Sequence, residues 1–463
     1  MGWPSMCSRV VAVSALAWTA ACSSGAGRVL GSLAYGGGSV TLRVGEPVRI
    51  APTGSAAGGA IAFSIEPSLP AGLVLDSSSG ELAGIPTAVV GATRFTVQAT
   101  VGGVAVSASF SLAVGTGLPA SVLSLADGFT CVRHTAMVQK AAKMAIAPDG
   151  RIFVTELETG WIRVVRPDGT LLALPFATMP VLTGGHLGLL GIALSPDFET
   201  DGGVFAYATM PAGGGSLDGG RLLRWRAVGD VGQDEEVLLD DLPISAINNG
   251  GALCFDQDGM LLVSVGDVES PALAQSDTSF AGKILRVRPA DGGIPADNPD
   301  PASLIFAKGL RNTFALARHP SLPALFLADN GPASDDELNL LQPGLNYEWG
   351  ASGASFGAAT GAILRLWPDV VVPTALAFQA PATSLQSPWP PPFDTSLYLT
   401  LYDDQVVERF EMSGALATDI DREVEFLRFT DALGNTPVDI ARGPAGQLWV
   451  LTFDALYRID RIR

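Results

Sequence analysis

Residues 144–154 read MAIAPDGRIFV: an apolar strand, a Pro-Asp-Gly turn and a second apolar strand. Residues 252–263 (ALCFDQDGMLLV) and 438–450 (VDIARGPAGQLWV) repeat the phrase. Looser copies start at Leu190 (LGIALSPDF), Phe314 and Ala375, making six in all. Several copies run on into a strand that carries an arginine, as in IRVV (162–165), ILRV (284–287) and LYRI (456–459). The period is roughly 50 to 60 residues, the length of one four-stranded sheet with its turns. Such a sheet cannot bury both faces alone; stacking copies around an axis covers them and leaves only short edges. The expected architecture is a six-bladed β-propeller over residues 120–463, with the strand near Phe129–Val132 closing the ring beside the last copy.

Composition agrees with an all-β chain. Of 463 residues, 48% are hydrophobic and only 16% charged, with 54 Gly and 32 Pro to make turns. A formal net charge of −18 disfavours polyanion partners, so nucleic acid is excluded as a ligand class. Three His and four Cys are too few for a multi-zinc protein or a disulfide scaffold. Cys131 and Cys254 lie in strand-like runs, as two buried thiols or as one disulfide.

Three segments precede the repeats. Residues 1–22 join Arg9 to an apolar run, Val10 to Ala21, which is shorter than the ~20 residues of a spanning helix. It ends in Thr19-Ala20-Ala21-Cys22, which resembles a bacterial lipobox, with Thr19 where leucine is usual. The resemblance implies export, lipidation of Cys22 and attachment through the lipid alone. Ser23 implies the outer membrane, with the protein facing the periplasm or the cell surface. Residues 23–32 form a tether, and 116–119 a Gly/Pro linker. Between them, residues 33–115 alternate apolar and polar positions in runs such as Val40–Val44, Ile61–Ile65, Phe95–Ala99 and Phe110–Val114, the pattern of half-buried strands in a small β-sandwich. Residues 68–87, SLPAGLVLDSSSGELAGIPT, resemble bacterial immunoglobulin-like (cadherin-like) modules, which imply a spacer or adhesive role. Glu66, Asp76 and Glu81 read as solvated surface.

The repeat region resembles the soluble quinoprotein glucose/sorbosone dehydrogenases. The likeness is carried in order by GLLGIALSPDF (188–198), VGD (265–267), GKILR (282–286), IPADNP (294–299), GLRN (309–312), NGPASDDELN (330–339) and NYEW (346–349). It implies a sugar substrate, calcium, and pyrroloquinoline quinone (PQQ) as the hydride acceptor, the chain supplying orientation and charge. By position, Arg311 and Asn312 match the pair against the quinone. Gly331 and Pro332 match the carbonyls offered to the cofactor-side calcium. Asp335, Asp336, Glu337 and Tyr347 match the region of a structural calcium, whose preference for oxygen ligands suits carboxylates in a Gly-Pro turn.

Two departures stand out. The family reads His-Asn-Gly-Gly-Arg where this chain reads Asn248-Asn249-Gly250-Gly251-Ala252, so an amide replaces the proton-accepting imidazole. On the fifth repeat, Asp403-Asp404 stands where the family has cations for the PQQ carboxylates, and like charges repel there. His186, in a position usually Gln or Glu, is the candidate substitute base or metal ligand. His134 and His319 carry no expected role. The expectation is therefore a surface lipoprotein of sugar-dehydrogenase type, divergent or inactive. The alternative is a non-catalytic propeller that binds glycan or protein.

Overall fold

The computed structural model describes residues 30–35, 39–56, 61–101, 104–115, 117–136, 138–213, 218–351, 362–379 and 389–461. The expected signal segment, Cys22 and the tether as far as residue 29 lie outside the described residues. The chain divides into two compact units, residues 1–119 with 132–134, and residues 120–131 with 135–463.

The first unit holds a four-stranded sheet in the order Ser39–Arg43, Val104–Gly115, Val90–Val101, Ala62–Glu66. A three-stranded sheet joins Val48–Ile50, Leu82–Gly84 and Leu73–Leu75. Alternation does what the sequence implies: Phe95, Val97, Phe110 and Leu112 turn into one core with Leu82 and Tyr35. Gly72 has φ +87, and a Cβ there would strike the Ile85 carbonyl, which explains the glycine in LPAGL. Asp76 caps its own turn through the N–H groups of Ser78 and Ser79, and Glu81 pairs with Arg49. Both are surface roles.

The second unit consists, among the described residues, of six antiparallel sheets, one for each repeat. Their first strands are Ala141–Ile146, Leu189–Leu194, Leu253–Phe255, Thr313–Arg318, Pro373–Phe378 and Pro437–Arg442. Each first strand touches the next in this order, and the sixth touches the first. The start of the unit supplies two outer strands: Val122–Leu125 joins the fifth sheet, and the strand that begins at Phe129 joins the sixth. The ring is thus held shut by hydrogen bonds rather than by chain continuity.

Second strands such as Ile152–Glu156 are buried along their whole length because both faces pack against neighbouring sheets. Phe153 meets Phe176 and Phe198 edge-on at 5.1 and 5.8 Å, bridging the first two sheets. Near the axis, Lys143 of the first sheet reaches residues of three others. It bonds the Thr374 carbonyl, stands 3.7 Å from Asp439 and lies over the Phe314 ring at 4.3 Å. Cys131 and Cys254 are free thiols, so the structure holds no disulfide between them. No helix among the described residues is long and apolar enough to cross a membrane.

Candidate functional site: a polar network at one end of the ring

Within each sheet the first strand ends and the second begins at one end, and the passages from second to third strand lie at the other. At the latter end the second strands finish in acids: Glu156, Asp267 just beyond Val265, Asp329, and Asp403 just beyond Leu401. The loops leading into the first strands of the third and fourth sheets, which carry Asn248 and Arg311, arrive at this same end.

Asn248 is 3% exposed and sits at φ 58, a conformation asparagine tolerates better than most residues. Its Nδ2 donates to Asp267 Oδ1 at 2.9 Å, and its backbone N–H donates to His186 Nδ1 at 3.2 Å. Asp267, 1% exposed, also accepts the Glu269 N–H on Oδ1 (3.0 Å) and the Trp349 indole N–H on Oδ2 (2.8 Å). Gln275 holds the Trp349 turn in place through the Trp349 carbonyl and Asn346. Lys283, buried with its Nζ on the carbonyls of Leu273, Ala274 and Ala281, ties down the segment between them.

His186 is exposed. Because Nδ1 accepts a hydrogen bond, the neutral ring carries its proton on Nε2. Partial burial, then the nearby Arg311 charge, lower its pKa, while Glu269 opposes them. The ring is therefore uncharged at neutral pH, and its outward nitrogen is a donor. As a base, it would have to release the Asn248 bond.

Arg311 joins this network to the Gly331 turn. Its backbone carbonyl accepts the Asp267 N–H at 2.7 Å. Its Nη1 donates to the carbonyls of Asn330 (2.9 Å) and Gly331 (2.7 Å), and the guanidinium lies 5.9 Å from the Trp349 ring. A guanidinium thus stands on the carbonyl that the resemblance gives to calcium. Asn312 has its Oδ1 on the Gly250 N–H and its carbonyl on Asn330, so it joins the third and fourth sheets. Asp329 takes the N–H groups of Arg311 and Asn312 and the Thr313 hydroxyl; burial still pushes its pKa up to about 6.

The acids after Gly331 divide by role. Asp336 accepts three backbone N–H groups, from Gly331, Val371 and Val372, and fixes the loop. Asp335 accepts the Ser334 hydroxyl at φ 64, and Pro332 is exposed. The Tyr347 hydroxyl donates to the Leu340 carbonyl. Glu337 faces inward at 3% exposure. Asn339 serves its Oε2, but among the described residues Oε1 has no partner, and neither does Asn339 Oδ1. Burial, with Asp329, Asp335 and Asp336 nearby, pushes Glu337 up to about 8. Among the described residues no three acidic, imidazole or thiol side chains converge to cage a metal, so a cation at Glu337 would draw further oxygens from carbonyls or water. On the fifth sheet, Asp403 feels the charge of Asp336, whereas the Asp404 carbonyl is held by Arg428 and its charge reaches Glu408.

Sequence reasoning missed Asp267 as the bonding partner of Asn248, and it missed Glu269 altogether. The Val-Gly-Asp phrase was the available signal for the first; an exposed turn glutamate gives none. A cleft of about 190 Å³ between the third and fourth sheets lies at the opposite end. Its Asp256 and Arg286 satisfy each other at 2.6 Å.

A closed ring of antiparallel sheets with an acid-rich network at one end defines the β-propeller class. A family model described as glucose/sorbosone dehydrogenase matches residues 138–455, and the chain belongs to that family. An Ig-domain family model matches residues 34–115. The aldose sugar dehydrogenase YliI of Escherichia coli is 28% identical, over 67% of this chain and 86% of that one. Quinoprotein glucose dehydrogenase B of Acinetobacter calcoaceticus is 29% identical, over 44% of this chain and 48% of that one. The PQQ-bound aldose sugar dehydrogenase of Streptomyces coelicolor superposes with a TM-score of 0.60 at 25% identity, covering 73% of this chain and 99% of that one.

Proposed function

We propose that the protein is an exported, lipid-anchored sugar oxidoreductase with a six-bladed propeller, taking PQQ and calcium at the Arg311 end of the ring. The observation that carries this reading is one continuous run of contacts. Asn248, Asp267, Arg311, Gly331 and Asp336 are joined link by link, and Asp403 lies within reach of Asp336. These are the positions at which the family places its base, its quinone-facing arginine and its calcium turn.

The residues suit the cofactors in part. Among the described residues Arg311 donates only through Nη1, which leaves Nε and Nη2 to meet an anionic planar ligand beside Trp349. The unpartnered Oε1 of Glu337 suits a hard cation, which would stabilise the carboxylate that burial disfavours. The cofactor, when bound, supplies the two-electron acceptor. The chain holds the sugar, excludes water and handles the hydroxyl proton. Asp267 orients residue 248, as it would orient an imidazole there.

Dye reduction by the purified protein with PQQ, calcium and an aldose tests the proposal. Aldose-dependent turnover that a chelator abolishes is expected; failure to retain PQQ at micromolar concentration would remove it. The second reading is a non-catalytic propeller that binds glycan or protein. The amide at 248 and the Asp403–Asp336 repulsion favour it, and it predicts saturable ligand binding without turnover.

A further inference from the structure

Six residues close a hydrogen-bonded circuit at the site. His186 Nδ1 accepts from the Asn248 N–H (3.2 Å), and Asn248 Nδ2 donates to Asp267 Oδ1 (2.9 Å). The same Asp267 oxygen accepts the Glu269 N–H at 3.0 Å, and the Ser245 hydroxyl donates to Glu269 Oε2. Asn249 completes the circuit: its Oδ1 accepts the Ser245 N–H (2.9 Å), and its Nδ2 donates to the His186 carbonyl (2.9 Å). Two members of this circuit, His186 and Glu269, are exposed.

Glu269 is held there against backbone preference. Val268 and Glu269 both lie at positive φ, 49 and 58, and a β-branched residue pays for that conformation in steric strain. The strain turns the Glu269 N–H toward Asp267 and leaves the carboxylate exposed beside His186. Among the described residues of this circuit, no other side-chain acceptor is open. Asp267 is buried with both oxygens engaged, Asn248 is an amide, and the exposed nitrogen of His186 carries a proton.

We infer that Glu269 is the proton acceptor for the sugar hydroxyl, and that the His186 Nε2–H holds the sugar oxygen, the two together standing in for the missing imidazole at 248. The inference rests on the sugar-oxidoreductase reading above. In the step, the O–H bond at sugar C1 breaks and its proton passes to a Glu269 carboxylate oxygen. The C1–H bond breaks with its electron pair leaving as hydride to a two-electron acceptor of the quinone class, and a C1 carbonyl forms. A carboxylate suffices as the base because departure of the hydride makes the hydroxyl proton acidic.

The test uses the full chain with PQQ and calcium, comparing the parent with Glu269→Gln, His186→Ala and the pair Asn248→His/Glu269→Gln. Glu269→Gln should lower kcat about 100-fold or more, with KM little changed, and remove the acid limb of the pH profile. Asn248→His/Glu269→Gln should recover turnover, because the imidazole then takes the proton; a misfolded variant would not recover. Without cofactor, calorimetry with an aldose should show affinity unchanged in Glu269→Gln and about five-fold weaker in His186→Ala, the loss of one hydrogen bond. Full kcat in Glu269→Gln would overturn this inference alone. Absence of both turnover and aldose binding in the parent would overturn the sugar-oxidoreductase reading with it.

Discussion

In the proposed reading the amide at 248 leaves proton transfer to its neighbours, and those neighbours carry measurable signatures. His186 is depressed by burial first and by Arg311 second, with Glu269 pulling the other way. Its imidazole titration, followed by NMR, should therefore move up in Arg311→Ala and down in Glu269→Gln; no movement in either would separate it from the site. Glu337 gives a second signature. Its folded pKa is raised from 4.5 to about 8, so its protonated form favours the fold. That contribution is complete below about pH 4.5 and is lost as pH rises through 8. A divalent cation reverses the loss. Calcium should therefore raise Tm more at pH 8.5 than at pH 5, and Glu337→Gln should flatten both responses, as read by calorimetry. These residue-level details were only partly legible in the sequence. Arg311, Asn312 and the Gly331–Glu337 turn stand in recognisable phrases. Nothing in the chain announces that Trp349 reaches Asp267 across 82 positions, or that Glu269 lies beside His186.

At the scale of elements, the strands were the most legible part. Alternation exposed the four long strands of the first unit, and the repeated strand–turn–strand phrase marked the first and second strands of the ring sheets. Outer strands were harder. Residues 231–242 form a long edge strand that is mostly exposed and acidic, so apolar patterning gives it little signal. The axis was invisible, because it depends on which first strands meet. Lys143 and Asp439 are buried together, and burial lowers the lysine and raises the aspartate. Removing one partner strands a charge, so Lys143→Ala should cost about 3–5 kcal/mol in denaturant unfolding. Phe153→Ala, which empties the contact between the first two sheets, should cost about as much. A loss below about 1 kcal/mol in either would contradict the packing described here.

For the whole molecule, net charge and the proposed export signal bear on where the protein works. A net charge of −18 disfavours binding to anionic polymers and lipid surfaces, so the proposed anchoring rests on a lipid at Cys22 rather than on surface charge. Cys22→Ala should abolish incorporation of labelled fatty acid and move the protein from the membrane fraction to the soluble fraction; unchanged sedimentation would refute lipidation at Cys22. The central claim is that the Asn248–Asp267–Arg311 end of the ring oxidises sugars with a bound quinone and calcium. Its most direct measurement is aldose-dependent dye reduction by the parent and by Asn248→His, each with PQQ and calcium, with and without chelator. The account predicts turnover in the parent, faster turnover in Asn248→His and loss of both with chelator. Its contradiction is an Asn248→His protein that neither retains PQQ nor reduces the dye.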